Sequence, residues 1–225
     1  DCEMPGPARS WGENLVKAVN DGKVLEETPD DMHHRIASEF ARIEAKFGGK
    51  SALSEEQIFD LIKNFEYIVP QGSPMMGIGN NHVNVSLSNC VVVASPDDNI
   101  SSILDSGKSL ANLFKRRCGV GLDLSELRPE GTPVNNSAGT TTGAWSFADL
   151  YSYVCRMIGQ NGRRGALMIS MDIRHPDIEK FVTMKHDLTK VTGANVSVKI
   201  SDDFMEAVQN NGTFTLRFPV NSYTQ

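Results

Sequence analysis

The sequence predicts an α/β protein in which a helical amino-terminal region, residues 1–69, precedes a region of alternating strands and helices, residues 70–225. Apolar residues recur at helical spacing in the first third of the chain. After Pro70, short β-branched runs alternate with helical patterns. Strands that alternate with helices are typical of a sheet or barrel of the α/β class.

Two helices are predicted in the first region. The first begins after Thr28, because a capping hydroxyl is followed by Pro29 and two aspartates that suit a helix amino terminus. The second begins after Ser54, which forms a capping-box pattern with Gln57. The apolar stripes of both helices are expected to be core positions. In the first helix the stripe comprises Met32, Ile36, Phe40, Ile43 and Phe47.

In the second region, β-branched clusters predict strands at 83–87, 90–93, 167–173, 195–200 and 213–218. Helical patterns between them predict helices at about 100–117, 146–158, 176–184 and 202–208. The helix near Pro176 carries Asp177 and Glu179 in its first turn, where they are expected to face the helix dipole.

Glycine-rich connections are frequent in this region and lie at 72–79, 118–121, 139–143 and 159–165. Glycine lets backbone N–H groups approach an anion closely, so four such segments favour a phosphorylated ligand. Each segment taken alone is also compatible with a simple tight turn. In α/β proteins, ligands are expected at the loops beyond the carboxyl ends of the strands.

Composition and charge argue against several classes of protein. A net charge of −6 does not favour a nucleic-acid binder. No apolar run approaches the ~20 residues of a membrane span, and the amino terminus lacks the pattern of a secretory signal, so a cytoplasmic protein is expected. Neither the histidines nor the cysteines have metal-site spacing, so no metal site is expected. The cysteines are expected to be reduced and are Cys2, Cys90, Cys118 and Cys155.

Five segments carry a resemblance to a known family, and they lie at 86–93, 114–129, 159–168, 175–181 and 190–199. In this order and spacing they resemble the catalytic subunit of ribonucleotide reductases, from about Pro70 to Val208. The resemblance implies the first half of a ten-stranded α/β barrel, preceded by a helical region. It also implies the family's reaction, in which hydrogen replaces the ribose 2′-hydroxyl through a protein thiyl radical and a cysteine pair supplies the electrons.

The resemblance assigns roles to residues that match the family's motifs. Cys90 matches the first cysteine of the reducing pair, whose second cysteine is not in this chain. The expected substrate-binding residues are Ser73, Asn89, Cys118, Gly119, Arg163 and Arg164. Family members often have a small residue at the position of Cys118, so no redox role is assigned to that thiol.

The resemblance further implies control by a deoxynucleoside triphosphate or ATP bound near a dimer interface. Asp97 or Asp98 matches an acid that contacts the effector base or sugar, and spacing to Cys118 favours Asp98. Arg128 matches an arginine that binds phosphate, a role that suits the guanidinium fork. Val134 and Gln160 complete the expected effector-binding residues.

The chain also departs from the family pattern, because it has no counterpart of the segment that bears the thiyl radical. We therefore expect a second polypeptide to supply the carboxyl-terminal remainder of the catalytic subunit. The amino-acid sequences of segments 115–121 and 161–166 are most similar to those of adenosylcobalamin-dependent members of the family. Adenosylcobalamin is therefore the favoured radical source, and a separate metal-containing subunit is the alternative.

The expected partners are a ribonucleoside di- or triphosphate, a thioredoxin- or glutaredoxin-type reductant and a second copy in a homodimer. Neither a nucleic acid nor a membrane is expected. A different class of function is a non-catalytic module that binds a deoxynucleoside triphosphate and has lost the chemistry. Retention of Cys90 argues against that module, because effector binding does not need a thiol.

Overall fold

The computed structural model describes residues 19–20, 23–47, 49, 52–158, 165–187 and 189–222. The chain divides into two compact units, residues 1–89 and 90–225. The predicted division at residue 70 rests on sequence character and stays a prediction. No helix in the described part of the chain is long and apolar enough to span a membrane.

Within the described residues, the first unit contains a short antiparallel strand pair and three helices. Strands β1 (Val19–Asn20) and β2 (Lys23–Val24) pair with each other. Helix α1 spans Pro29–Phe47, α2 spans Glu55–Ile62 with a 3-10 turn at Lys63–Phe65, and α3 spans Gly72–Gly77. Both predicted helix starts are present: Thr28 Oγ1 accepts from Asp31 N at 3.3 Å, and Ser54 and Gln57 form the capping box.

The core of this unit lies between α1 and the segments packed on it. Its buried residues are Met32, Ile36, Ala37, Ile58, Ile62 and Met75. The predicted stripe of α1 is buried only in its first half, and Phe40, Ile43 and Phe47 are exposed. The prediction that all five positions are core was therefore wrong, because within this unit the stripe extends beyond the residues that cover it.

Two further predictions for this unit were wrong. The glycine-rich segment 72–79 contains α3, since its two glycines lie at the helix ends and the apolar Met75 and Met76 are buried. Residues 83–87 form no strand. Val85 packs instead against Gly77, where an added Cβ would lie 2.5 Å from the valine Cγ2.

The second unit is a four-stranded parallel sheet whose strands are in sequential order. The strands are β3 (Cys90–Val92), β4 (Gly119–Asp123), β5 (Leu167–Asp172) and β6 (Asn195–Lys199). Successive strands are joined by α4 (Ile100–Phe114), α5 (Ala144–Met157) and α6 (Ile178–Thr183), and α7 (Asp202–Gln209) follows β6. An α/β fold with a parallel sheet is thereby confirmed.

Side chains alternate across this sheet, so one face is buried and the other is open. The buried face packs on the helices through Val120, Leu122, Leu167, Ile169 and Met171. The open face carries Val92, which is 86% exposed, and Met168, which is 43% exposed. Tyr151 of α5 is fully buried and donates to the carbonyl of Ile103 on α4 at 2.9 Å, and its burial raises the pKa of its hydroxyl to about 12.

Three assignments in this unit require correction. The glycine segment 118–121 leads into and forms part of β4, because glycine can occupy a strand where a neighbouring strand supplies the ladder. Residues 213–218 form no strand, and the backbone N–H of Arg217 donates to the carbonyl of Arg174 at 2.7 Å. The helix predicted from Pro176 begins at Ile178, so Asp177 lies at its N-cap position and not in its first turn.

The two faces of β5 provide a direct test of this arrangement. We expect Ile169→Ala to lower the free energy of unfolding by about 2–5 kcal/mol, because it leaves a cavity beneath the sheet. The neighbouring change Met168→Ala should cost less than about 1 kcal/mol, because that side chain lies on the open face. Chemical denaturation of the full chain measures both. Equal losses at the two positions would contradict the two-faced sheet.

Candidate functional site

A cavity of about 460 Å³ lies over the amino ends of the four strands. It is lined by residues that begin the strands or follow directly, and they include Cys90, Val92, Gly119, Gly121, Met168 and Asn195. Parallel register places Cys90 beside Gly119, and Met168 beside Asn195. The general rule for α/β sheets predicted a ligand at the carboxyl ends, so this cavity lies at the end opposite to the expected one.

Cys90 is an exposed residue at the first position of β3. Since Gly119 beside it has no side chain, the thiol borders open cavity space at this point of the sheet. The other described cysteines differ from it. Cys118 and Cys155 are buried, and burial raises the pKa of the Cys155 thiol. Of the described cysteines, Cys90 is therefore the one exposed to a reagent or substrate.

Ser73 and Asn89 meet within the first unit. The side-chain oxygen of Asn89 accepts from the backbone N–H of Ser73 at 2.9 Å, in the first turn of α3. Ser73 is buried, whereas Asn89 is partly exposed and immediately precedes Cys90 in the chain. The structure thus brings together the two residues that the resemblance assigns to substrate ribose and phosphate. Cys118, from the same expected set, has its sulfur 3.4 Å from the carbonyl of Gly119.

A second polar cluster lies beyond the carboxyl ends of β3 and β4. The Asp98 carboxylate accepts from Arg128 Nε at 2.6 Å and from Arg128 N at 3.2 Å. Arg128 also donates from Nη2 to the Asp98 carbonyl at 3.2 Å and from Nη1 to the Pro133 carbonyl at 3.4 Å. Asp97 is exposed, and Val134 is half-buried on the following loop. Four of the expected effector residues are therefore found at this end of the sheet.

Arginine has five N–H donors, and three of those on the Arg128 side chain are used in the contacts above. Two donors remain on a guanidinium that is about one-third exposed. Such a group can bind a phosphate oxygen while Asp98 keeps it oriented. The remaining expected residues, Gln160, Arg163 and Arg164, lie outside the described residues.

The open face of the sheet also carries a polar row that sequence reasoning missed. Asp123 Oδ2 accepts from Ser170 Oγ at 2.7 Å and forms an ion pair with Lys199 Nζ at 2.9 Å. Burial opposes ionisation of Asp123, but hydrogen bonds from Ser125, Ser170 and Lys199 outweigh it and hold the pKa of Asp123 below its usual value. Alternation of polar residues along 167–172 and 195–199 was the available signal.

Among the described residues, no group of three or more His, Cys, Asp or Glu side chains is placed to hold a metal ion. The polar groups of the two clusters are instead thiol, amide, hydroxyl, carboxylate and guanidinium groups. Their chemistry suits a ligand that combines an anion with hydroxyl groups. The cavity beside Cys90 and the Asp98–Arg128 pair lie at opposite ends of the same strands.

The chain is similar in sequence to proteins of one known family. A sequence model described as "Ribonucleotide reductase, barrel domain" matches residues 88–225. A vitamin B12-dependent ribonucleoside-diphosphate reductase of Mycobacterium tuberculosis is 34% identical over 173 residues, which cover 76% of this chain and 24% of that protein. Its namesake in Thermoplasma acidophilum is 33% identical over 145 residues, covering 64% of this chain and 18% of that protein.

A more distant relative is the ribonucleoside-diphosphate reductase large chain 2 of Saccharomyces cerevisiae. It is 27% identical over 164 residues, covering 70% of this chain and 19% of that protein. The chain therefore spans about a quarter or less of the length of these relatives.

The burial difference among the cysteines predicts their reactivity. After reduction and desalting, Cys90 should react with a thiol reagent such as iodoacetamide at least tenfold faster than Cys118 or Cys155, because a buried thiol is shielded and its thiolate is disfavoured. Mass spectrometry of digested samples assigns each labelled position. The Cys90→Ser variant is the control and should lose the rapid phase at this site. Equal labelling rates at the three positions would refute the predicted accessibility.

Proposed function

This chain belongs to the ribonucleotide reductase family, and on that premise we propose that it acts in the reduction of ribonucleotides to 2′-deoxyribonucleotides. The observation that carries the proposal is the exposed Cys90, which begins a strand and borders a cavity of about 460 Å³. A thiol in this place can reach a sugar held in the cavity. A thiol needed only for packing would be buried, as Cys155 is.

The proposed role of Cys90 is that of a reductant. It acts with a second cysteine that is not in this chain. Two thiols become one disulfide and give up two electrons and two protons, while the ribose 2′-hydroxyl leaves as water and a hydrogen takes its place. Atoms and electrons balance in this exchange. A thioredoxin- or glutaredoxin-type protein would then reduce the disulfide by thiol–disulfide exchange.

The proposed substrate is a ribonucleoside diphosphate, since the relatives above carry that substrate in their names. A triphosphate is the alternative. Asn89 and Ser73 would hold the ribose and phosphate, and Gly119 would let the backbone approach the substrate. Arg163 and Arg164 are assigned to the base or phosphate from sequence resemblance.

We further assign the carboxyl-terminal remainder of the catalytic subunit as the partner that completes a ten-stranded barrel. The open face of the described sheet supports this, because Val92 and Met168 expose apolar area that a partner could bury. A homodimer is also proposed. Its support is the exposed apolar side chains on neighbouring helices α4 and α5, namely Ile100, Leu104, Tyr153 and Met157.

Control of specificity by a deoxynucleoside triphosphate or ATP is assigned to the cluster beyond β3 and β4. Arg128 would bind phosphate through its two remaining donors, while Asp98 orients it. The exposed Asp97 would accept from a sugar hydroxyl, and Val134 would contact the nucleoside. Gln160, which follows α5 in the sequence, would carry the identity of the effector to the substrate.

Adenosylcobalamin is the proposed radical source, because several relatives are named as vitamin B12-dependent. When bound, this cofactor supplies the initiating radical. The described residues that line the cavity include no imidazole that could bind a cobalt ion. No step assigned to this chain therefore involves the cofactor directly.

The reductant role predicts a specific loss. In the complete enzyme, Cys90→Ser should abolish turnover with a dithiol reductant, because serine cannot form the disulfide, while binding of a deoxynucleoside triphosphate persists. The control variant Cys155→Ala removes a buried thiol and should keep turnover. Product formation and equilibrium dialysis measure the two properties. Effector binding in a wild-type enzyme that performs no reduction would favour the non-catalytic binding module.

The radical source is tested by cofactor dependence. Turnover of the complete enzyme should begin only when adenosylcobalamin is added, because this cofactor is the proposed source of the initiating radical. Chromatographic assay of deoxynucleotide product measures this. Turnover without the cofactor but with a separate metal-containing subunit would show that the cofactor assignment is wrong.

A further inference from the structure

The segment 175–177, which follows β5, is bonded to both sides of Arg128. His175 is fully buried, and its Nε2 lies 2.7 Å from the carbonyl of Leu127. The backbone N–H of Asp177 donates to His175 Nδ1 at 3.0 Å. Since Nδ1 accepts, the ring proton lies on Nε2, which donates to Leu127. The residue immediately before Arg128 is thereby held by an imidazole.

The other side of Arg128 is held by a carboxylate. Both oxygens of Asp177, a residue only 5% exposed, lie 3.1 Å from the backbone N–H of Glu130. Oδ2 also accepts from the N–H of Ala144, the first residue of α5, at 3.1 Å. A buried carboxylate that accepts backbone N–H groups is a strong constraint, because losing one such bond leaves buried charge or a buried donor uncompensated.

The junction leaves no room for a side chain at Gly143. Gly143 has a φ of 89°, and an added Cβ would lie 2.6 Å from Asp177 Oδ2 and 2.8 Å from Glu130 N. Three segments therefore converge on one carboxylate: the loop after β4, the start of α5 and the turn after β5. Asp177 lies at the N-cap position of α6 but makes no cap there, because its oxygens are used in this junction.

We infer that His175 and Asp177 are positioning residues that set the effector affinity by fixing the backbone on both sides of Arg128. The inference rests on the proposed effector role of Arg128 and adds residues to which no role was assigned. Without these bonds the backbone of the Leu127–Glu130 segment gains conformational freedom. That freedom must be lost again when the guanidinium of Arg128 binds phosphate. Effector binding then becomes weaker although no contact to the effector is removed.

The inference is tested first by Asp177→Asn in the intact protein, with each of the four deoxynucleoside triphosphates as probe in equilibrium dialysis. The amide nitrogen would face a backbone donor, so we expect the effector Kd to rise at least tenfold. The substrate KM measured without effector should stay within twofold of wild type. Asp187→Asn is the matched control, because it makes the same change in an exposed loop residue that contacts Thr189.

A double-mutant cycle separates positioning from general destabilisation. In an Arg128→Ala background, Asp177→Asn should cause no further rise in Kd, because the residue it positions is gone. Additive losses would overturn the inference, as would an unchanged Kd in the single variant. If wild-type protein binds none of the four probes, the effector site itself is refuted and the inference is refuted with it. A failure of the inference alone can therefore be distinguished from a failure of the proposed effector site.

Variants of His175 decide the same question should Asp177→Asn fail to fold. Glutamine can place a donor near the Nε2 position and keep the bond to Leu127, whereas asparagine reaches only the Nδ1 position. We expect His175→Gln to keep the effector Kd within threefold of wild type and His175→Asn to raise it about tenfold. Thermal unfolding of both variants provides the check on folding. The reverse order of affinities would contradict the assigned role.

Discussion

The alternation of side chains along four parallel strands is the constraint on which the rest of the second unit depends. Helices α4, α5 and α6 cover one face, so every second residue of the strands is buried beneath them. The remaining residues are left on the open face, whatever their chemistry. This alternation places Cys90 and Met168 on the open face, whereas it places Val120 and Ile169 on the buried face. A shift of one residue in register would bury Cys90 and expose the core.

Strong periodic signals predicted much of this fold. Six helices and three of the sheet strands lie close to where spacing and caps placed them, and the capping box at Ser54 is present in full. The failures share a physical cause. Glycine in 72–77 and 119–121 was interpreted as loop, although neighbouring segments there supply helix ends or a strand ladder. Residues 83–87 and 213–218 have strand propensity but pair with no strand within the described residues, because pairing is decided by tertiary context.

The candidate site was predictable in part. Motif resemblance identified Cys90, Asn89 and Arg128, and the structure places each where a ligand could reach or be held. It could not reveal that Arg128 is already engaged by Asp98, since that bond joins residues 30 positions apart. Nor could it assign Asp177, which the sequence placed in the first turn of its own helix, facing the helix dipole. Hydrogen bonds between distant segments depend on the completed fold, and a local pattern does not encode them.

The two proposed sites lie at opposite ends of the sheet, so strand β5 offers a path for coupling between them in addition to the role proposed for Gln160. Strand β5 begins beside the cavity at Leu167 and Met168 and leads to His175 and Asp177, which hold the segment around Arg128. Its six residues span about 20 Å. A strand bonded on both edges resists stretching, so a displacement at one end is not absorbed along its length. Under the proposed function, effector binding at Arg128 would bias the geometry of the cavity through this strand, and by linkage an occupied cavity would alter effector affinity by the same factor.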